Sequence, residues 1–250
     1  MKLNNKIALV TGGSRGIGKA IVQSLVKSDY TVVFTYKSNE KLSDIIVKDY
    51  KSNGIDVYSF QMDQSSRSSV KNCITQICEK FKAPISILIN NAAIAQEKPF
   101  EMIGDNDWES MLKTNLQGPY MLIQEILQGM ILSKFGRIIN ITSIGGQWGG
   151  FNQVHYAASK AALISLTQSI AKIYSNKGIT SNAIAVGLVQ TEMAANELNS
   201  EEGKKKVSNI PIGRIAEACE IADTVKFLCS NKASYITGQT INLNGGMYFG

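Results

Sequence analysis

Residues 7–18 read Ile7-Ala8-Leu9-Val10-Thr11-Gly12-Gly13-Ser14-Arg15-Gly16-Ile17-Gly18. The first four are apolar without alternation, the pattern of a strand covered on both faces. A helical pattern follows over 18–27. Glycines at 12, 16 and 18 let the turn tighten, let backbone N–H groups approach a pyrophosphate, and let the helix close on the strand. The helix N-terminus adds partial positive charge at the same place. A glycine cluster between the first strand and the first helix is the signature of a dinucleotide-binding loop. Gly13-x4-Gly18-Lys19 also approaches a P-loop, but Ala20 stands where Ser or Thr would hold magnesium. Strand four ends Ile-Asn-Asn, without a magnesium-binding Asp, so nucleotide hydrolysis is disfavoured.

The alternation continues outward. Strands are predicted at 7–11, 31–36, 56–62, 85–90, 137–142, 180–186 and 240–243. Helices are predicted at 18–27, 40–53, 66–81, 107–133, 156–175 and 216–230. Strand alternating with helix implies parallel strands joined by right-handed crossovers. The expected fold is α/β: a single-domain, Rossmann-like, doubly wound parallel sheet of about seven strands, with helices on both faces. No linker or repeat divides residues 1–250, and a chain of this length buries a sizeable core. The least core-like stretch, 190–210, follows the sixth strand. A lid at about 188–210 and a plain surface helix both fit it.

Composition narrows the function classes. The net charge is +6, but Lys204, Lys205 and Lys206 form the only tight basic run. The excess reads as solvated surface, with no nucleic-acid partner. One histidine, His155, excludes any site needing two. Cys73, Cys78, Cys219 and Cys229 show no zinc spacing. The N-terminus does not resemble a signal peptide, and no apolar run approaches the roughly 20 residues of a membrane span. Asn140-Ile141-Thr142 matches a glycosylation sequon but lies in an apolar strand. The expectation is a reduced, soluble, cytoplasmic protein.

The spacing G-x3-G-x-G departs from G-x-G-x-x-G and resembles the short-chain dehydrogenase/reductase family, whose loop reads T-G-x3-G-x-G. Further landmarks of that family follow in order: Asn90-Asn91-Ala92-Ala93 after strand four, Thr114-Asn115 in the long helix, Ser143 after strand five, then Tyr156-x3-Lys160. Tyr235-Ile236-Thr237-Gly238-Gln239 and Asn244-Gly245-Gly246 complete the pattern. The chain is most similar to the 3-oxoacyl-[acyl-carrier-protein] reductases of that family. Ala93 and Val186, where the family has Gly and Pro, are departures.

Tyr156 and Lys160, four apart, project from one helix face. A phenol ordinarily titrates near 10, and a neighbouring ammonium favours its phenolate. Tyr156 can then protonate a carbonyl oxygen, with Ser143 hydrogen-bonded to the same oxygen. The resemblance implies that Lys160 also binds the nicotinamide ribose and that Asn115 holds a relay water. His155 is tempting as a base, but adjacent helix residues do not share a face, so a pocket-wall or surface role is expected. Enoyl reductases of the family show Tyr-x6-Lys; the residue seven before Lys160 is Gln153, which favours carbonyl reduction.

For the cofactor, strand two ends Thr35-Tyr36-Lys37-Ser38-Asn39, without the acid that would accept a ribose hydroxyl. Lys37 and Arg15 suit a 2′-phosphate, so NADP(H) is expected. The remaining contacts implied by the resemblance are Gly12, Gly13, Ser14, Gly16, Ile17, Gly18, Ser38, Asp63, Gln64, Asn91, Val189 and Thr191. Trp148 and Gln153 are expected to wall the substrate pocket with Ser143 and Tyr156. The resemblance implies reduction of a 3-oxoacyl thioester and assembly as a homotetramer. An acyl carrier protein would need a basic surface near the mouth, for which Lys134, Arg137 and Lys177 are candidates. A reductase of free ketones, sugars or secondary-metabolite intermediates, and a non-catalytic dinucleotide sensor, are the alternatives.

Overall fold

The computed structural model describes residues 6–191 and 201–250. The strands are β1 (Lys6–Val10), β2 (Tyr30–Tyr36), β3 (Val57–Gln61), β4 (Ile85–Asn90), β5 (Gly136–Ser143), β6 (Ile179–Val186) and β7 (Thr240–Leu243). They form one parallel sheet in the order β3-β2-β1-β4-β5-β6-β7. The chain winds outward from β1 in one direction and from β4 in the other, so their junction is the switch point where such sheets bind ligands. Between the strands lie α1 (Gly16–Leu25), α2 (Glu40–Ser52), α3 (Arg67–Phe81), α4 (Asp105–Leu112), α5 (Gly118–Leu132), the one-turn α6 (Gly145–Trp148), α7 (Val154–Tyr174), α8 (Glu201–Ser208) and α9 (Ala218–Cys229).

Strand residues alternate between two cores. Ala8 and Val10 join Val32 and Phe34 beneath Ile21, Val22 and Leu25 of α1 and Ile221 and Val225 of α9. Ile7 and Leu9 face the other way, with Val33, onto Val70, Ile74 and Ile77 of α3 and Leu122 and Ile126 of α5. That period of two lets an unbroken apolar run such as Ile7–Val10 fill both layers, the expected doubly wound arrangement.

The helix expected at 107–133 is not continuous. α4 gives way to a π-turn at Lys113–Gln117, and α5 begins at Gly118. Pro119 has no N–H to return to the Asn115 carbonyl four residues back, and its ring crowds that position. The Gly118 amide instead reaches Lys113 O, five back.

Three cations also fall elsewhere than expected. Arg137 is buried near the amino end of β5, where its guanidinium donates to Gly136 O and Gly178 O (2.8 and 3.3 Å). Lys134 and Lys177 flank the same edge, just before β5 and β6. At about 3.3 Å per residue, Arg137 and Ser143 stand some 20 Å apart, so none of the three lies at the mouth of its own chain's site. His155 is fully buried, not a surface residue.

Candidate active site

The cleft forms at the switch point. Thr11, just beyond β1, accepts hydrogen bonds on its hydroxyl from the Asn91 and Ala92 amides (3.0 and 2.9 Å). The Asn91 side chain returns two bonds, to Thr11 O and Gly12 O (2.9 and 3.3 Å). Gln64 donates from its side chain to both Ala92 O and Thr114 O (2.8 Å each). The amide nitrogens of both Asn91 and Gln64 are therefore engaged by the scaffold, while Gln64 Oε1 is buried without a partner.

The glycine loop fits a diphosphate. A Cβ on Gly18 would lie 2.2 Å from Gly12 O, and one on Gly13 2.4 Å from Phe34 Cβ, so loop, helix and sheet touch through bare backbone. Gly16 has a positive φ of 53° and faces Thr191 across the cleft, 3.5 Å from where its Cβ would be. Arg15 occupies the N-cap of α1 in extended conformation with no side-chain cap, and the first turn holds no acid. The first-turn amides are thus left for an anion. On the far wall, Val189 bridges Ala216 through Gln190 N and Leu188 O, which leaves its own peptide groups out of the pairing.

Exposed Lys37 follows β2 and pairs with Asp63 (2.9 Å), beside exposed Ser38. Desolvation raises the Asp63 carboxyl, but hydrogen bonds from Ser65 and Lys37 outweigh it and hold the group below its usual range. Arg15 is exposed at the neighbouring loop.

Ser143 ends β5; its Oγ accepts from the Gly145 amide (3.1 Å), and its hydroxyl is hydrogen-bonded to the Tyr156 phenol. Lys160 is buried, with Nζ donating to Ile141 O (2.9 Å) and standing 5.6 Å from the centroid of the Tyr156 ring. Burial pulls its ammonium down to about 8. The Tyr156 phenol lies above its ordinary value: burial raises it, and the Ser143 hydroxyl lowers it only partly. The lowering expected from Lys160 is not seen: burial sets the direction, and Ser143 supplies the one opposing contribution.

Asn115 sits in the π-turn, buried, and clasps the Ile94 peptide: Oδ1 accepts from Ile94 N (2.9 Å) and Nδ2 donates to Ile94 O (2.8 Å). Nδ2 also reaches Ser159 Oγ (3.2 Å), whose hydroxyl bonds Tyr156 O (2.7 Å). Sequence reasoning missed this clasp, although Gly118-Pro119 inside a helical stretch signalled the break that turns Asn115 inward.

The rim is built from α6 and the residues on either side of it. Trp148 is half-exposed and packs edge-on against Tyr248 at 6.0 Å, while Phe151 is 97% exposed. Gln153 donates to Glu97 (3.3 Å), and Lys206 of α8 lies 3.9 Å from the same carboxylate. The lid expected at about 188–210 falls partly outside the described residues. A cavity of about 550 Å³ opens elsewhere, between β7, α9, Ile210, Ile212 and Phe249; Ser143, Tyr156 and Lys160 do not line it.

The phosphate loop at the switch point and a Ser–Tyr–Lys group beside it are shared by a class of oxidoreductases, and the chain belongs to it: the short-chain dehydrogenase/reductase family. The family model it matches, over residues 12–248, carries the description enoyl-(acyl carrier protein) reductase. Two relatives are named 3-oxoacyl-[acyl-carrier-protein] reductase. That of Aquifex aeolicus is 39% identical over 249 residues, covering 99% of each chain. That of Buchnera aphidicola subsp. Schizaphis graminum is 40% identical over 248 residues, again 99% of each. The solved structure of a blue fluorescent protein from a metagenomic library, in complex with NADPH, superposes with a TM-score of 0.91 at 32% identity over 100% of both chains.

Proposed function

We propose that this enzyme reduces the keto group of a 3-oxoacyl thioester, carried on acyl carrier protein or CoA, to the 3-hydroxyacyl form with NADPH. The observation that carries the reading is the convergence of Ser143, Tyr156 and Lys160 at the carboxyl end of β5, on a chain similar to 3-oxoacyl reductases over nearly its whole length. The loop Gly12–Gly18 would hold the diphosphate, Arg15 and Lys37 the 2′-phosphate, and Lys160 the nicotinamide ribose. Val189 and Thr191 would meet the nicotinamide end. When bound, NADPH supplies the hydride.

Ser143 turns its hydroxyl proton from the Tyr156 oxygen to the keto oxygen and polarises the carbonyl. Tyr156 gives that oxygen its phenolic proton as the alcohol forms. A phenol held above its ordinary range is fully protonated at neutral pH, which suits the reductive direction. Lys160 then compensates the phenolate left behind. The four-residue step from Tyr156 to Lys160 supports carbonyl over carbon–carbon double-bond reduction, despite the description that the family model carries. Loss of NADPH absorbance with acetoacetyl-CoA, run beside NADH and an enoyl thioester, tests the reading. Turnover of the enoyl thioester alone would overturn it.

One observation favours a second reading, reduction of a free ketone: Lys134, Arg137 and Lys177 lie at the opposite sheet edge from the site. A carrier docked there would serve another chain's site. We also propose that residues 1–250 act as one domain and assemble as a homotetramer. Exposed Trp108, Tyr120 and Leu132 on α4 and α5, and Ile173 on α7, support such contacts. Light scattering on the full chain measures the mass.

A further inference from the structure

His155 is the chain's only histidine and the second residue of α7, directly before Tyr156. The start of that helix has no side-chain cap, so its first turn lacks the usual restraint against fraying. What holds it comes from the loop after β4. His155 Nε2 meets Gln96 Oε1 (2.9 Å), and Lys98 N donates to Asn152 O (2.7 Å).

The polarity of this chain of bonds is fixed from its far end. Asp107, in the first turn of α4, accepts on Oδ2 from Lys98 Nζ (2.6 Å) and Gly104 N (3.1 Å), and on Oδ1 from Gln96 Nε2 (3.2 Å). That carboxyl is held down at about 2, chiefly by the Lys98 bond, so it only accepts. Gln96 must therefore turn its amide nitrogen to Asp107 and its oxygen to the imidazole. The imidazole in turn must donate from Nε2. Its Nδ1 is buried with no partner, so nothing rewards the alternative tautomer.

We propose that His155, locked as the Nε2–H tautomer by Gln96 and Asp107, is a positioning residue that pins the uncapped first turn of α7 to the rim and so fixes Tyr156. The catalytic part of this rests on the assignment of Tyr156 as proton donor; the tautomer does not.

A single histidine gives a single imidazole pattern in a long-range ¹H–¹⁵N spectrum of the ligand-free full chain. The proton is expected on Nε2. In Asp107→Asn, Lys98 and Gly104 still demand an acceptor, so the new amide nitrogen must face Gln96. Gln96 then flips, and the proton moves to Nδ1. A wild-type proton on Nδ1, or an unchanged spectrum in Asp107→Asn, overturns the chain of bonds. For positioning, His155→Gln keeps a donor at the same reach and His155→Leu removes it. His155→Leu should lower kcat about tenfold or more, with NADPH affinity unchanged, and speed hydrogen exchange of the Ala157 amide, which closes the first turn on Gln153 O (2.8 Å). His155→Gln should restore both. Equal kcat and equal exchange in all three proteins overturn the positioning role. If the wild type reduces no ketone, the functional reading fails, while the spectrum and the exchange rates still decide the pin.

Discussion

Replacing Lys160 by methionine should erase a rise in folding stability with pH that the wild-type chain shows between about 8 and 10. Burial brings the Lys160 ammonium down to about 8 from an ordinary 10.5. Below pH 8 the folded chain therefore carries the full cost of a charge it would rather not hold, about 3 kcal/mol. Between 8 and 10.5 the folded lysine has lost its proton while the unfolded one keeps it. The unfolded state then binds more protons, stability climbs with pH, and above 10.5 the penalty is gone. Methionine keeps the stem without the charge. It forfeits the bond to Ile141 O, at about 1–3 kcal/mol, a loss present on both sides of the titration because a neutral amine still donates, though more weakly. The difference in unfolding free energy between wild type and Lys160→Met should thus shift by roughly 2–3 kcal/mol from pH 7 to pH 10. Stopping at 10 keeps Tyr156, whose phenol titrates higher still, out of the comparison. Urea unfolding of the ligand-free protein at fixed concentration measures it. Parallel stability curves for the two proteins would refute the reasoning, since they would mean that Lys160 is solvated or paired.

The same titration should appear in catalysis, where kcat/KM for reduction falls as pH rises through about 8 in steady-state profiles. Tyr156→Phe should lower kcat by roughly 10²–10⁴-fold with NADPH binding intact by fluorescence titration; a loss of binding instead would recast the residue as structural. Arg15→Ala should raise KM for NADPH by about ten- to a hundredfold, the loss of a charge-assisted contact, and leave NADH unaffected. Lys37→Ala should do less, because Asp63 already shares that ammonium. Gly18→Ala places a methyl 2.2 Å from Gly12 O, so the purified protein should bind no cofactor in calorimetry, whether or not it folds.

What could be read from the sequence was what local spacing determines. The apolar run Ile7–Val10, the glycines after it and the four-residue step from Tyr156 to Lys160 each carry their meaning within one element. Features that depend on which element lies alongside were illegible. Lys37 meets Asp63 only because β2 pairs with β3, aligning Tyr36 with Gln61. Arg137 looks like a surface cation until β5 is placed inside the sheet. For the Tyr156 phenol, spacing reveals the neighbouring charge and hides the desolvation that sets its direction. Gln64 and Asn91 stand at family cofactor positions, yet their side chains brace β3, β4 and the π-turn. Spacing says where a residue falls, not which of its atoms are already taken.

The π-turn has a consequence for the helices on either side of it. An α-helix advances about 100° per residue, so one extra residue between Leu112 and Gly118 rotates everything after it by that angle. α4 can then direct Met111 toward α7, while α5 directs Leu122 and Ile126 to the sheet and α3. Drawn as one uninterrupted wheel, Met111 and Leu122, eleven residues apart, would fall within about 20° of each other on one face, and one of the two neighbours would lose its contact. The inserted residue acts as a phase shifter that lets a single length of helix serve two partners.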